Sequence, residues 1–255
     1  MTYIYAYSNH KTGLSRLRRM AVRYKELQVE GVEVEMLTND FRAAEAIREY
    51  GVPACTTIET ILDIDYVAQR GDSLIIDSPE ESHGKLEQYV EMFVRVEKIA
   101  NHCEEVSRFG EKICFVDPLV DRYYMMQKEK PKIPRTLFFY RDSDPKKWIE
   151  STAEQWSGLG MELLLGSYFY PKYEETLDEI FGCLHEAESY RECVAYSSKV
   201  VTADAQCAYE AQTAGAEVIY LSEEVEACQR ERMETLGIRL LDKTDTGALK
   251  PLLGA

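Results

Sequence analysis

Apolar residues in this chain alternate between two patterns. Short unbroken runs read as buried strands, and stretches with apolar residues every three or four positions read as amphipathic helices. The run Tyr3–Tyr7 is followed by a polar loop, Ser8–Gly13. Leu14, Leu17, Ala21, Tyr24 and Leu27 then predict a helix over 14–30. Strands are predicted at 32–37, 53–56, 73–78 and 112–116. Helices are predicted at 40–50, with Asp40 as cap and Gly51 as stop, and at 58–70. Leu86, Tyr89, Val90, Phe93, Val96, Ile99 and Ala100 keep helical spacing, so one long helix is predicted over 84–109, stopped by Gly110.

The segment 117–135 breaks this pattern. It holds Pro118, Pro131 and Pro134 and a charged run from Lys128 to Lys132, which marks it as a linker. A second series begins with a strand at 135–140 and a loop at 141–145. A helix ending near Gly158, a strand at 160–165 and helices at 171–184 and 189–196 follow. Val200–Leu221 is the clearest unit. It reads as a strand at 200–202, an alanine-rich helix at 205–214 capped by Asp204 and stopped by Gly215, and a strand at 217–221. A helix at 224–237, a strand at 239–241 and a helical tail to Ala255 complete the chain. Strand–helix alternation in both halves predicts an α/β fold with parallel sheets, in two domains, 1–125 and 126–255.

Composition narrows the function. With 255 residues and 45% hydrophobic content the chain can bury a sizeable core. A net charge of −15 disfavours nucleic acid and anionic membranes as partners. The basic residues Lys11, Arg16, Arg18, Arg19, Arg23 and Lys25 concentrate in the first loop and helix, either for an anionic ligand or as a solvated face. No apolar run reaches membrane-spanning length and the N-terminus has no signal-peptide pattern, so a cytoplasmic protein is expected. The seven cysteines show no C-x-x-C pair, so no metal set is read and all are expected as thiols.

The stretch Thr202, Ala203, Tyr209, Glu210, Ala211, Gly215 and Ile219 resembles the nucleotide-binding βαβ unit of GT-B glycosyltransferases. It is most similar to that of the UDP-sugar hydrolase of the pseudaminic acid pathway, T-A-G-G-S-x-x-Y-E-x-x-x-x-G-x-P-x-I. Asp77-Ser78, Asp144-Pro145 and the 166–174 loop are further points of resemblance. The paired glycines and the hydroxyl residue of the family's ligand loop are here Asp204, Ala205 and Gln206. The resemblance implies two Rossmann-like domains facing a cleft. It implies a nucleotide-sugar hydrolase or glycosyltransferase-like enzyme of surface glycan biosynthesis, with a UDP-linked sugar as ligand and no further cofactor. The alternative is a non-catalytic relative, a ligand-binding or assembly protein that kept the fold and lost the site.

Candidate site residues follow from position and chemistry. His10 lies in the first βα loop, and histidine as a residue type serves as a general base near neutrality. The resemblance places the family's histidine nearer Ser15 or Arg16. Asp77 closes a strand, where it would serve as the catalytic base in place of His10, orient a histidine or bind a sugar hydroxyl, unless it caps a helix. Arg141, Ser143, Gln206, Cys207 and Glu210 are the expected nucleotide-holding set. Arg141 would face the phosphates and Glu210 the ribose hydroxyls, unless Glu210 is an ordinary helix residue.

Overall fold

The computed structural model describes residues 1–114 and 118–253. The chain divides into two compact units: residues 1–9 with 16–119, and residues 10–15 with 120–255. The loop 10–15 is thus counted with the second unit.

Unit 1 carries β1 (Thr2–Ala6), α1 (Ser15–Val29), β2 (Val34–Thr38), α2 (Phe41–Ala46), β3 (Cys55–Thr57), β4 (Ser73–Asp77), α3 (Lys85–Met92), β5 (Arg95–Ile99) and β6 (Lys112–Cys114). Its six strands are parallel, in the order β3-β2-β1-β4-β5-β6. The strands read as unbroken apolar runs because both faces are covered. Ile4, Tyr5, Leu74 and Ile76 are fully buried. Two expectations fail here. The segment predicted as one helix over 84–109 is α3 followed by β5. Phe93 leaves the helical region at the end of α3, and after Val94 the chain continues as β5, with the β-branched Val96 and Ile99, paired with β4. The segment 58–70 forms one short 3-10 helix, Ile61–Tyr66, with Thr60 and Asp63 as a reciprocal cap. Of the strand predicted at 112–116, Phe115 and Val116 lie outside the described residues, as do Asp117 at the start of the predicted linker and the last two residues of the tail.

Unit 2 carries α4 (Arg122–Met126), β7 (Ile133–Phe139), α5 (Trp148–Ser151), α6 (Ala153–Trp156), β8 (Met161–Leu164), α7 (Pro171–Phe181), β9 (Leu184–His185), α8 (Tyr190–Tyr196), β10 (Ser197–Thr202), α9 (Ala205–Ala214), β11 (Glu217–Ser222), α10 (Ala227–Thr235), β12 (Arg239–Asp242) and α11 (Leu249–Leu253). The sheet is again parallel, in the order β12-β11-β10-β7-β8-β9. One side of it is an aromatic core, with Phe138 stacked on Trp156 at 5.1 Å and on Phe181 at 5.5 Å. In each unit the strand order reverses at one place: between β1 and β4 in unit 1, and between β7 and β10 in unit 2. Ligands of open α/β sheets bind outside the carboxyl ends of the strands at such a point.

Among the described residues no helix is long and apolar enough to cross a membrane. Cys55, Cys114, Cys183, Cys193 and Cys207 are free thiols. Cys103 and Cys228 are not, which corrects the expectation of a fully reduced set.

Buried phenols dictate one response to pH. Burial raises the pKa of Tyr5, Tyr89 and Tyr173, reinforced by Glu80, Asp65 and Asp144 respectively. The unfolded phenols ionise near pH 10 while the folded ones stay neutral. Their contribution is therefore present below about pH 10 and lost above it. Urea unfolding across pH 8 to 11 is expected to show falling stability above about pH 10, with a shallower fall in Tyr5→Phe.

Candidate functional site

The carboxyl end of β7 leads into Tyr140–Asp144, and that of β10 into Ala203 and Asp204. These two loops meet at the unit 2 switch point. The amide of Ala203 donates to the carbonyl of Tyr140 (3.2 Å), and Arg141 Nε donates to the carbonyl of Ala203 (3.0 Å). Arg141 is exposed at the rim.

The acids in these loops are buried and engaged. Asp142 Oδ2 accepts from the amide of Leu14 at 2.8 Å, and its Oδ1 accepts from Ser167 Oγ at 3.2 Å. The backbone closes tightly around it. A Cβ on Gly166 would lie 2.4 Å from the carbonyl oxygen of Asp142, and one on Gly13 2.9 Å from the Asp142 side chain. Gly13 also takes φ +75, so glycine is required there on two grounds. Asp144 accepts from the amides of Trp148 (2.8 Å) and Ile149 (2.9 Å) and from Tyr173 Oη (2.6 Å). Ser143 Oγ donates to the carbonyl of His10.

Asp204 is the N-cap of α9, as predicted: its Oδ1 accepts from the amide of Cys207 at 2.9 Å. Its Oδ2 accepts from Ser15 Oγ. The loop 10–15 therefore lies on the unit 2 switch point, held by the side chains of Asp142, Ser143 and Asp204.

The remaining sequence candidates have these places. Glu210 is 2% exposed and accepts from Tyr190 Oη (2.7 Å) and Gln206 Nε2 (2.9 Å). Gln206 is buried as well. Cys207 is fully buried, and its thiol pKa is pushed well up by burial and then by the charges of Asp204 and Glu210. His10 is exposed, with its backbone carbonyl taken by Ser143. Asp77 belongs to unit 1 and is fully buried. Arg19 clamps it through Nε and Nη2, both at 2.5 Å, and Arg16 Nε stands 3.3 Å away. Arg18 donates to Tyr50 Oη (2.9 Å), so three basic residues of α1 serve unit 1 itself.

Sequence reasoning missed three features. Asp142, the seat of the Leu14 amide, had no motif to mark it. Lys243, which follows β12, sits 4.2 Å over Trp148 and donates to Tyr140 Oη (2.8 Å) and Glu223. In the Cys183-x-His185 pair, Cys183 directly precedes β9 and His185 lies in it, a strand too short to be read from its pattern. Unit 1 holds a cavity of about 580 Å³ whose lining includes Ile61, Ile76, Leu86, Glu80, Lys98 and Phe109. Its acids are partly occupied: Glu80 accepts from Tyr5 and Ser78, and Glu111 from two backbone amides.

Two parallel six-stranded sheets, each flanked by helices, make this a GT-B-like pair of Rossmann-like folds. No protein family and no curated protein matches the chain by sequence. Among solved structures it is similar to the UDP-GlcNAc 2-epimerase of Methanocaldococcus jannaschii in complex with UDP-GlcNAc and UDP. The TM-score is 0.62 at 10% identity, over 100% of this chain and 93% of that one. It is similar to a glycosyltransferase from Rickettsia africae (TM-score 0.57, 9% identity, 99% and 86% covered). It is also similar to the UDP-GlcNAc 2-epimerase of Neisseria meningitidis bound to UDP-GlcNAc (TM-score 0.56, 10% identity, 100% and 90% covered). At these identities the likeness is one of fold.

The burial of Glu210 sets its response to mutation. Glu210→Ala removes the acceptor of Tyr190 Oη inside the unit and is expected to cost about 1–3 kcal/mol. Adding Tyr190→Phe removes the hydroxyl that had donated to Glu210 and is expected to recover part of that loss, as measured by urea unfolding of the double-mutant cycle.

Proposed function

We propose that this protein handles a nucleotide-activated sugar, UDP-linked, as a hydrolase or glycosyltransferase-like enzyme of surface glycan biosynthesis in the cytoplasm. The observation that carries the reading is the position of Arg141. Its guanidinium stands at the switch point of a GT-B-like fold, bonded through Nε to the β10 loop and 5.6 Å over the Tyr140 ring, on an exposed residue. A guanidinium presents several donors in a fixed fork and suits a diphosphate. Ser143, a residue 6% exposed, and Gln206 would flank the nucleotide, and His10 would act as general base on water or an acceptor hydroxyl. Glu210, held by Tyr190 and Gln206, would act by fixing the start of α9 rather than by direct contact with the ribose. Asp77, clamped by two arginines, would position α1.

A specific observation favours a second reading, a non-catalytic binding or assembly protein. The N-terminus of α9 is where a helix attracts a phosphate, and here it already holds the carboxylate of Asp204. Asp204 and Asp142 also bind the chain's own residues 15 and 14.

Calorimetry with UDP and UDP-sugars separates the two. The enzyme reading expects binding by the wild type and a loss of about tenfold to a hundredfold in affinity for Arg141→Ala, the value of one charge-assisted contact. Turnover of a bound UDP-sugar, abolished in His10→Ala, would complete it. Binding without turnover supports the second reading. Absence of heat and of any thermal shift at millimolar ligand overturns the UDP-linked assignment.

A further inference from the structure

A second cluster of chemically active side chains lies at the β8–β9 edge of the unit 2 sheet, apart from the switch-point loops. Leu163 pairs with Leu184, and Leu164 with His185. This parallel register sets Glu162 opposite Cys183. Because side chains alternate along a strand, Glu162, Cys183 and His185 share one face of the two strands. One ligand atom from each, a carboxylate oxygen, a sulfur and a ring nitrogen, lies within 4.8 Å of the other two.

We propose that Glu162, Cys183 and His185 form a binding site for a divalent cation of the zinc class, which clips the edge of this sheet. Zinc takes thiolate, imidazole and carboxylate at about 2.0–2.3 Å, which puts tetrahedral ligands about 3.3–3.8 Å apart. The three atoms stand within about an ångström of that spacing. A mixed sulfur, nitrogen and oxygen set of this kind selects zinc over magnesium or calcium. Cys183 is exposed, so a water completes the fourth position.

The hydrogen bonding of His185 points the same way. Its Nε2 lies 2.7 Å from Glu162 Oε2 and 3.3 Å from Arg135 Nη1. A neutral imidazole nitrogen either donates or accepts, so Nε2 serves one neighbour and not both. With a metal bound, the Nε2 lone pair and the carboxylate both point at the ion and the conflict disappears. Arg135 is anchored on its far side by Ser197 Oγ (2.8 Å) and by the carbonyl of Cys193 (3.4 Å). From there it remains 3.5 Å from Glu162 Oε2 as an outer partner of the ligating carboxylate. Binding releases the Cys183 thiol proton to solvent. The thiolate and the carboxylate then balance the two charges of the ion, and Arg135 faces a neutral centre. The ion would join the end of α7, two residues before Cys183, to a β9 only two residues long.

The test is titration of the full-length, chelator-treated protein with Co²⁺, followed by competition with Zn²⁺. The expected result is a thiolate-to-cobalt charge-transfer band that saturates at one ion, is absent in Cys183→Ser and is displaced by zinc. His185→Asn and Glu162→Gln are expected to weaken binding by at least about 10–100-fold, since loss of an outer partner alone costs that much. Zinc is also expected to raise the melting temperature of the wild type and not of Cys183→Ser. Cys183 is exposed, so the metal-free variant should melt as the wild type does. A wild type without the band, or a band that survives Cys183→Ser, overturns the proposal and leaves the cluster as an Arg135–Glu162–His185 ion pair.

Discussion

An ionised carboxylate taken out of water must find donors within reach, and this requirement shapes the carboxyl edges of both sheets. Leaving one unpaired would cost several kcal/mol, a large share of the 5–15 kcal/mol that holds a typical domain together. Asp77 draws Arg16 and Arg19 down from α1. Asp144 takes two amides at the start of α5 and the hydroxyl of Tyr173 from α7. Glu210 ties α9 to α8 through Tyr190. Asp142 and Asp204 reach the loop 10–15, so that this short polar stretch packs with unit 2. Each acid fixes the path of the backbone near it, and the loops at the switch points owe their conformations to these bonds.

The same bonds mark what the sequence could and could not convey. Strand–helix–strand order at 200–221 was legible because three local signals agree there: an apolar run, an aspartate cap and a left-handed glycine stop. The parallel α/β class was legible for the same reason throughout both halves. The region 84–109 was not, because Leu86, Tyr89, Phe93 and Val96 fit a helix and a helix-plus-strand equally well. Pairing of β5 between β4 and β6, a long-range matter, decides it. The two-residue β9 was likewise invisible to any periodicity, and with it the shared face of Cys183 and His185.

The sequence named the candidate residues by type, and the structure adds their partners. Asp77 was picked out because it closes a strand at the expected ligand edge, and Glu210 because it matches a glutamate of the GT-B nucleotide-binding unit. Their surroundings depend on residues distant in sequence: Arg16 and Arg19 for Asp77, Tyr190 for Glu210. Asp204 differs because its cap is local, two to three residues long, and its role was visible from the sequence.

Asp204 also shows how a side chain of the protein can fill the place at the start of a helix where a ligand anion would bind. The start of α9 presents amides that need an acceptor and a partial positive charge that favours an anion. A phosphate can meet both needs, and so can a carboxylate carried by the chain. With Asp204 in place, the amide of Cys207 is capped by the chain itself, and Ser15 is tied to the same carboxylate. A nucleotide arriving here would exchange a cap worth about 0.5–2 kcal/mol for its own phosphate bonds, against the charge of Asp204. Arg141 is the group placed to offset that repulsion. On the proposed function, the balance between these two side chains, one buried and one exposed, is what separates the enzyme reading from the binding-protein reading.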